Sequence, residues 1–337
     1  MNSFENKTAL VTGGCGFIGS ALVRLLLSKG ARVIAVDNLA TGKKENLPSV
    51  QEGTLVVQYL VVRDGDALRP LLREADVLFH LACLGVRHSI HSPRENNEVN
   101  ATATLDLLAL SREEKVERFV HVSTSEVYGT AVRIPMDEET PAFPHTVYGS
   151  SKLAGECHAR AYAKTYGFPT VVLRPFNSYG PRCHHEGDSG EVIPKFMLRA
   201  LAGKPMLVFG DGEQTRDFTY VDDTARGILL AGLADKVLGH TVNLGSGKEI
   251  TVNDLAALVT QVTERPNASV VHEEPRPGDV LRLFADSSAA ERLLDFRPEV
   301  SLRDGLHRLL AWYREGEASP EQLLEEDLAL NWVAEKQ

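Results

Sequence analysis

Short apolar, β-branched runs alternate with longer stretches of helical spacing through the first half of the chain. Thr8–Val11 opens the series, and FIGSALVRLLLSKG follows it as an amphipathic helix. ARVIAVDN, Leu55–Val62, DVLFHLAC, RFVHVS and PTVVLRP read as further strands. DALRPLLREA, Asn97–Ser111 and Ala154–Tyr166 carry helical spacing between them. Strands separated by helices of about ten or more residues predict an α/β fold with a doubly wound parallel sheet of Rossmann type. After Asn177 the rhythm breaks, because NSYGPRCHHEGDSGEVIPKF is rich in Gly, Pro, His and charge. A smaller, interleaved α/β lobe is expected to begin there, with the helix VIPKFMLRALAG, the segment PMLVFGDGEQTRDFTYV and the stretch around EEPRPGDV. The helix Asp222–Leu233 and the strand HTVNLG read as a return to the first unit. The expected units are 1–175 plus about 218–245, and 176–217 plus about 246–337. The acidic segment SPEQLLEEDLALNW reads as a surface helix with a solvated face.

A chain of 337 residues, 43% hydrophobic, can bury a large core. Its net charge of −10 argues against nucleic acid or an anionic membrane as partner. Cys15, Cys83, Cys157 and Cys183 show no CxxC and no paired spacing, so neither a disulfide framework nor a metal site is expected. They fit a reducing cytoplasm. TALVTG lies too near the start for a signal peptide, and no apolar run is long enough to span a bilayer. A cytoplasmic location is therefore expected.

Two stretches carry candidate chemistry. Gly13-Gly14-Cys15-Gly16-Phe17-Ile18-Gly19 joins a strand to a helix, the context in which glycines admit a pyrophosphate. Gly13 and Gly16 allow the tight turn and close approach, and Gly19 lets the helix pack on the sheet. Asp37 ends the second strand, where an acid accepts a ribose diol and repels a 2′-phosphate. NAD is favoured over NADP, although Lys43 and Lys44 follow nearby. The second stretch runs from His121 to Lys152. Tyr148 and Lys152, four apart on a helix, project from one face, and Thr124 follows a strand. The ammonium is expected to lower the phenol pKa and let Tyr148 act as base on a sugar hydroxyl. LGVRHSIHSPRENN, with Arg87, His88 and His91, reads as a polar loop bordering the crevice.

GGCGFIG, HLAC, STSEVYG, YGSSK, RPFNSYGPR, DGEQTRDFTYVDD and RPGDV, in that order over nearly the whole chain, resemble the extended short-chain dehydrogenase/reductase superfamily. The resemblance is to its nucleotide-sugar epimerase, dehydratase and decarboxylase branch. It implies a tightly held NAD, a nucleotide-sugar substrate, UDP-linked by preference, and a homodimer. It implies Tyr148 as base, Lys152 as its partner and Thr124 as a hydrogen-bonding hydroxyl. It implies cofactor contacts from Phe17, Ile18, Asn38, Asp64, Leu81 and Ala82. Asn177, Arg182, Arg216 and Arg276 are implied around the diphosphate, with Arg87 and Val192 also on the substrate side. Arginine forks suit that recognition. One departure is Val61, which stands where the family often places an Asp near the adenine.

All members of the branch begin by oxidising the sugar C4 hydroxyl. The later steps depend on Thr124-Ser125-Glu126. Glu126, like Ser125 a candidate catalytic residue, favours lyase chemistry over plain 4-epimerisation. In a dehydratase the Glu removes the C5 proton; in a UDP-glucuronate decarboxylase the C4 ketone makes the C6 carboxylate a β-keto acid. HLAC, STSEVYG, FNSYGPR and GEQTRDFTYV are similar to the decarboxylases, whereas YGTA and RLFADSS are similar to 4,6-dehydratases. The expectation is decarboxylase, giving a UDP-4-keto-pentose or UDP-xylose, then 4,6-dehydratase, then 4-epimerase. A silent NAD sensor ranks last, since Tyr148, Lys152 and Thr124 are all present.

Overall fold

Seven parallel strands form the floor of the site: β1 (Thr8–Thr12), β2 (Arg32–Asp37), β3 (Leu55–Tyr59), β4 (Val77–His80), β5 (Arg118–Val122), β6 (Thr170–Pro175) and, later in the chain, β10 (Thr241–Leu244). This is a computed structural model, and it describes residues 3–276 and 279–327. Pro277 and Gly278 of the RPGDV motif, and residues 328–337 at the end of the expected acidic helix, lie outside the described residues. The strand order is β10-β6-β5-β4-β1-β2-β3, every pair parallel. The order reverses between β1 and β4, and a crevice opens beyond the carboxyl ends of strands at such a switch point. Both faces of this sheet are covered, so its strands are near-continuous Val, Ile, Leu and Phe.

Helix α1 (Phe17–Ser28) buries Leu22, Val23 and Leu26 against one face, each contributing about 1.5–3 kcal/mol. Helix α2 is Gly65–Glu74. The helical stretch before β5 comprises α3 (Val86–His91), α4 (Pro93–Asn97), a π-helical turn at Glu98–Thr102, and α5 (Ala103–Glu113). Helix α6 (Val147–Tyr166) starts at Thr146, whose hydroxyl accepts the Gly149 N–H, and stops at Gly167 in the left-handed region.

A second cluster of buried residues is built from β7 (Asn177–Tyr179), α7 (Val192–Leu201), β8 (Met206–Phe209) and β9 (Thr215–Tyr220). Two later helices, α9 (Val252–Thr263) and α11 (Leu302–Glu315), complete it. β11 (Glu249–Thr251), β9 and β7 form a three-stranded sheet, and β8 pairs with β12 (Val270–Glu273). Helix α8 (Val221–Ala231) lies against α1, and β10 pairs with β6.

Four readings need correction. β3 ends at Tyr59: the Leu60 N–H makes the last bond to β2, at the Asp37 carbonyl, and the chain then turns at Val61–Asp64, where the Asp64 N–H donates to the Val61 carbonyl at 3.0 Å. The expected loop after Cys83 is largely helical (α3 and α4), held by Asn96 and Asn100 side chains donating to the Leu84 carbonyl. Helix α10 (Ser288–Leu294), assigned to the small lobe, packs Ala290 and Leu294 into the large-sheet core, and Phe296 just after it joins them. The C-terminal segment is not simply solvated: helix α12 (Pro320–Leu323) leads to a buried Leu324, and Asp327 lies between Lys195 and Arg199.

Candidate active site

The crevice at the switch point is a cavity of about 690 Å³. Gly13, Gly16, Phe17, Ile18, Gly19, Asp37, Asn38, Leu81 and Ala82 line one end. Gly13 adopts φ +70 and sits so close to β4 that an added Cβ would stand 2.9 Å from the Ala82 nitrogen. Gly16 precedes α1 in extended conformation with no side-chain cap, and the first turn carries no acid. The helix thus presents its free N–H groups and positive end to an anion. Asp37 is buried, and its carboxylate accepts the Cys15 N–H at 2.9 Å and the Leu39 N–H at 2.8 Å. These bonds fix an acceptor where a ribose diol fits and a 2′-phosphate does not. The nearby Lys43 is paired with Glu186. An uncapped helix end, a glycine turn and an oriented acid together fit NAD.

Two expected cofactor contacts differ. The exposed Asp64 caps α2, accepting the Ala67 N–H at 3.1 Å, and does not line the crevice; Val61, Val62 and Arg63 do. Lys152 is buried behind the lining, with Nζ donating to the Val122 carbonyl at 2.7 Å.

Thr124, Ser125, Glu126 and Tyr148 line the middle of the crevice. Thr124 leaves β5 in extended conformation and its hydroxyl accepts the Glu126 N–H at 3.2 Å, opening a tight turn that turns Glu126 back beside Tyr148. Packing is close: a Cβ at Gly149 would meet the Glu126 carbonyl at 2.8 Å. Burial pushes the Tyr148 phenol well above its ordinary pKa, Cys83 adds to this, and a hydrogen bond with Thr124 acts the other way. The direction is opposite to the lowering expected from Lys152, because burial dominates both groups, raising Tyr148 and lowering Lys152 itself. Burial also raises the Glu126 carboxyl; Arg216 and Arg87 oppose this, Asp279 and Glu191 reinforce it.

At the far end, Arg87, Asn177, Val192, Arg216 and Arg276 line the crevice. Arg87 lies 3.6 Å from Glu191, and Arg216 donates to Asp279 at 2.6 Å. Among the described residues, the buried Asn177 Oδ1 has no partner. Arg182 is not brought to the lining; it occupies a left-handed turn beside Arg24. Glu191, Asp279 and Cys83 were missed as lining residues. Each stands inside or next to one of the sequence motifs, but only the folded chain shows that two of them face arginines.

The chain is 36% identical over 309 residues to a putative UDP-glucose 4-epimerase of Methanocaldococcus jannaschii, covering 90% of this chain and 98% of that protein. It is 35% identical over 311 residues to UDP-glucuronic acid decarboxylase 1 of Arabidopsis thaliana, covering 90% and 69%. A dTDP-glucose 4,6-dehydratase double mutant (DesIV) from Streptomyces venezuelae, solved with NAD bound, superimposes with a TM-score of 0.84 at 36% identity, covering 91% of this chain and 97% of that one. A family model described as GDP-mannose 4,6 dehydratase matches residues 10–309. The chain is an NAD-dependent nucleotide-sugar enzyme, and it belongs to the GDP-mannose 4,6-dehydratase-like family of extended short-chain dehydrogenases/reductases.

Proposed function

We propose that the protein is a nucleotide-sugar 4,6-dehydratase acting on a hexose with a free C6 hydroxyl. The observation that carries this is Glu126, a carboxyl beside Tyr148 and Thr124 whose burial holds its proton to higher pH. Simple 4-epimerisation requires no proton-transfer group at C5, whereas elimination of water needs a base to remove the C5 proton; loss of carbon dioxide needs only a proton donor there, to protonate the enolate it leaves.

In this reading Arg216 and Arg276 hold the diphosphate, with Arg87 and Asn177 toward the sugar. Tyr148, hydrogen-bonded with Thr124, accepts the C4 hydroxyl proton as the C4–H bond breaks. Bound NAD supplies the acceptor for that hydride. Lys152, anchored on the Val122 carbonyl, holds a positive charge behind the site. The C4 ketone acidifies C5–H, and the Glu126 carboxylate removes that proton. The C5–H and C6–O bonds break, the departing hydroxyl takes the proton held by Glu126, and water leaves. With the hydride that the bound cofactor would supply at C6, the proton that Tyr148 took from the C4 hydroxyl passes to C5 by way of Glu126, giving a 4-keto-6-deoxy sugar and restoring both side chains.

Decarboxylation remains the second reading, favoured by relatives such as the Arabidopsis enzyme. Incubation with UDP- and dTDP-hexoses and with UDP-glucuronate, followed by product mass, separates the two. Loss of one water from a hexose supports dehydration. Loss of carbon dioxide from the uronate, with hexoses unchanged, contradicts it.

A further inference from the structure

Residues 183–189 cross from the small-lobe core to the rim of the cofactor end. The crossing is anchored at both ends. Cys183 is buried and donates its N–H to the Gly180 carbonyl at 3.1 Å. His185 packs edge-on against Tyr313, with ring centroids 6.4 Å apart, and the Gly187 N–H donates to the Glu326 carbonyl at 2.9 Å. The Glu191 N–H closes the return by donating to the His184 carbonyl at 2.8 Å.

From this anchored crossing Glu186 reaches the opposite rim. Its carboxylate accepts Lys43 Nζ at 2.7 Å and the His185 N–H at 2.8 Å, with His184 Nδ1 at 3.5 Å. Burial works against the Glu186 charge, yet His184, Lys43 and backbone N–H groups outweigh it and hold the carboxyl well below its usual range. Lys43 belongs to the loop after β2, and that loop is tied to the glycine turn: the Lys43 N–H and the Asn46 side-chain amide both donate to the Cys15 carbonyl, at 3.0 and 2.9 Å. Ala40 and Thr41 line the crevice on this rim, and His184 and Ser189 line it on the other. The ion pair therefore joins two segments that line one cavity, and on the Lys43 side the backbone is bonded to Cys15 of the glycine turn.

We propose that the 183–189 crossing is a clasp that retains the dinucleotide, fastened by the Lys43–Glu186 ion pair. A ligand seated under the joined rims leaves only after they part. Breaking the pair removes one obstacle to leaving without touching a group that binds the dinucleotide. The clasp presupposes NAD at the glycine turn, and binding of NAD by the unaltered protein tests that on its own.

The experiment measures release of bound NAD from the purified holoprotein, chased with excess fluorescent etheno-NAD. Glu186→Gln and Lys43→Met should each speed release about fivefold, the scale of an ion pair with one half-exposed partner. The double variant should release no faster than the faster single, because both remove one interaction. The exchanged pair, Lys43→Glu with Glu186→Lys, should restore slow release. Lys43 lies on the exposed side, so its variant folds even where changes at Glu186 disturb the crossing. Release within about twofold of the unaltered protein in both single variants, or single effects that multiply in the double, overturns the clasp.

Discussion

Gly16 and Gly19 sit three residues apart in one motif, yet alanine at each should fail differently. At Gly19 an added Cβ would stand 2.0 Å from the Gly13 carbonyl oxygen, 2.8 Å from its carbon and 3.1 Å from the Gly14 Cα. All three obstacles are backbone, so helix and turn must separate by about 1 Å or more to reach ordinary contact. Alanine adds about 1 kcal/mol of helix propensity, and such overpacking costs about 1–3 kcal/mol or more. With the nearest obstacle at 2.0 Å the clash falls at the upper end of that range, so a net loss of about 2 kcal/mol is expected in the protein without NAD, with cofactor binding lost as the turn shifts. At Gly16 a Cβ would meet only the Gly13 oxygen, at 3.2 Å. There the weaker N-cap costs about 0.5 kcal/mol, and the stiffer unfolded chain returns about as much. Stability without NAD should hardly change. A methyl group where a pyrophosphate approaches costs about 1–3 kcal/mol, so NAD affinity should fall about 5- to 150-fold. Calorimetric melting with and without NAD reads both quantities. Unchanged NAD affinity in Gly16→Ala, or equal destabilisation of the two variants without NAD, would refute the reasoning.

Further expectations concern the chemistry and the core. Tyr148→Phe should retain NAD and lose C4 oxidation by about 10²–10⁴-fold; near-normal turnover removes Tyr148 as base. Because burial raises the Glu126 pKa, its carboxylate form, and so the elimination step, should appear at higher pH than an ordinary carboxyl allows. The same shift means folding stability declines as pH rises from the ordinary carboxyl value through the raised one; Glu126→Gln should flatten that decline, and an unchanged stability profile would show that Glu126 is not shifted. Glu156 is fully buried and accepts Arg174 Nε at 2.9 Å, Arg174 Nη2 at 2.7 Å and Arg160 Nη1 at 3.0 Å. Glu156→Gln should cost about 3–5 kcal/mol in denaturant unfolding, and a loss below about 1 kcal/mol would mean the two guanidiniums find other partners.

The parallel sheet was legible because its strands are buried on both faces and read as unbroken apolar runs. The glycine turn was legible because it sits between such a run and a helical repeat. Errors arose where local pattern and tertiary use part. Leu60–Val62 is apolar enough to extend β3, but the chain turns there to place Val61 and Val62 on the crevice wall. LGVRHSIHSPRENN is too polar and Pro-marked to read as helix; Asn96 and Asn100 make its turns by bonding the Leu84 carbonyl, a contact no spacing announces. Asp64 matches a family contact by position, yet a carboxylate ahead of a helix caps it equally well. The weight of Glu126 was visible in Thr124-Ser125-Glu126, whereas the facing acids Glu191 and Asp279 come from distant segments.

The division of labour between Tyr148 and Glu126 is tested most directly by mixing NAD-loaded Glu126→Gln with a nucleotide hexose and following reduced-nicotinamide absorbance. Absorbance should rise and persist, with no water lost from the sugar, because oxidation at C4 proceeds and elimination does not. Normal formation of the dehydrated product, or no reduction at all, would contradict that division.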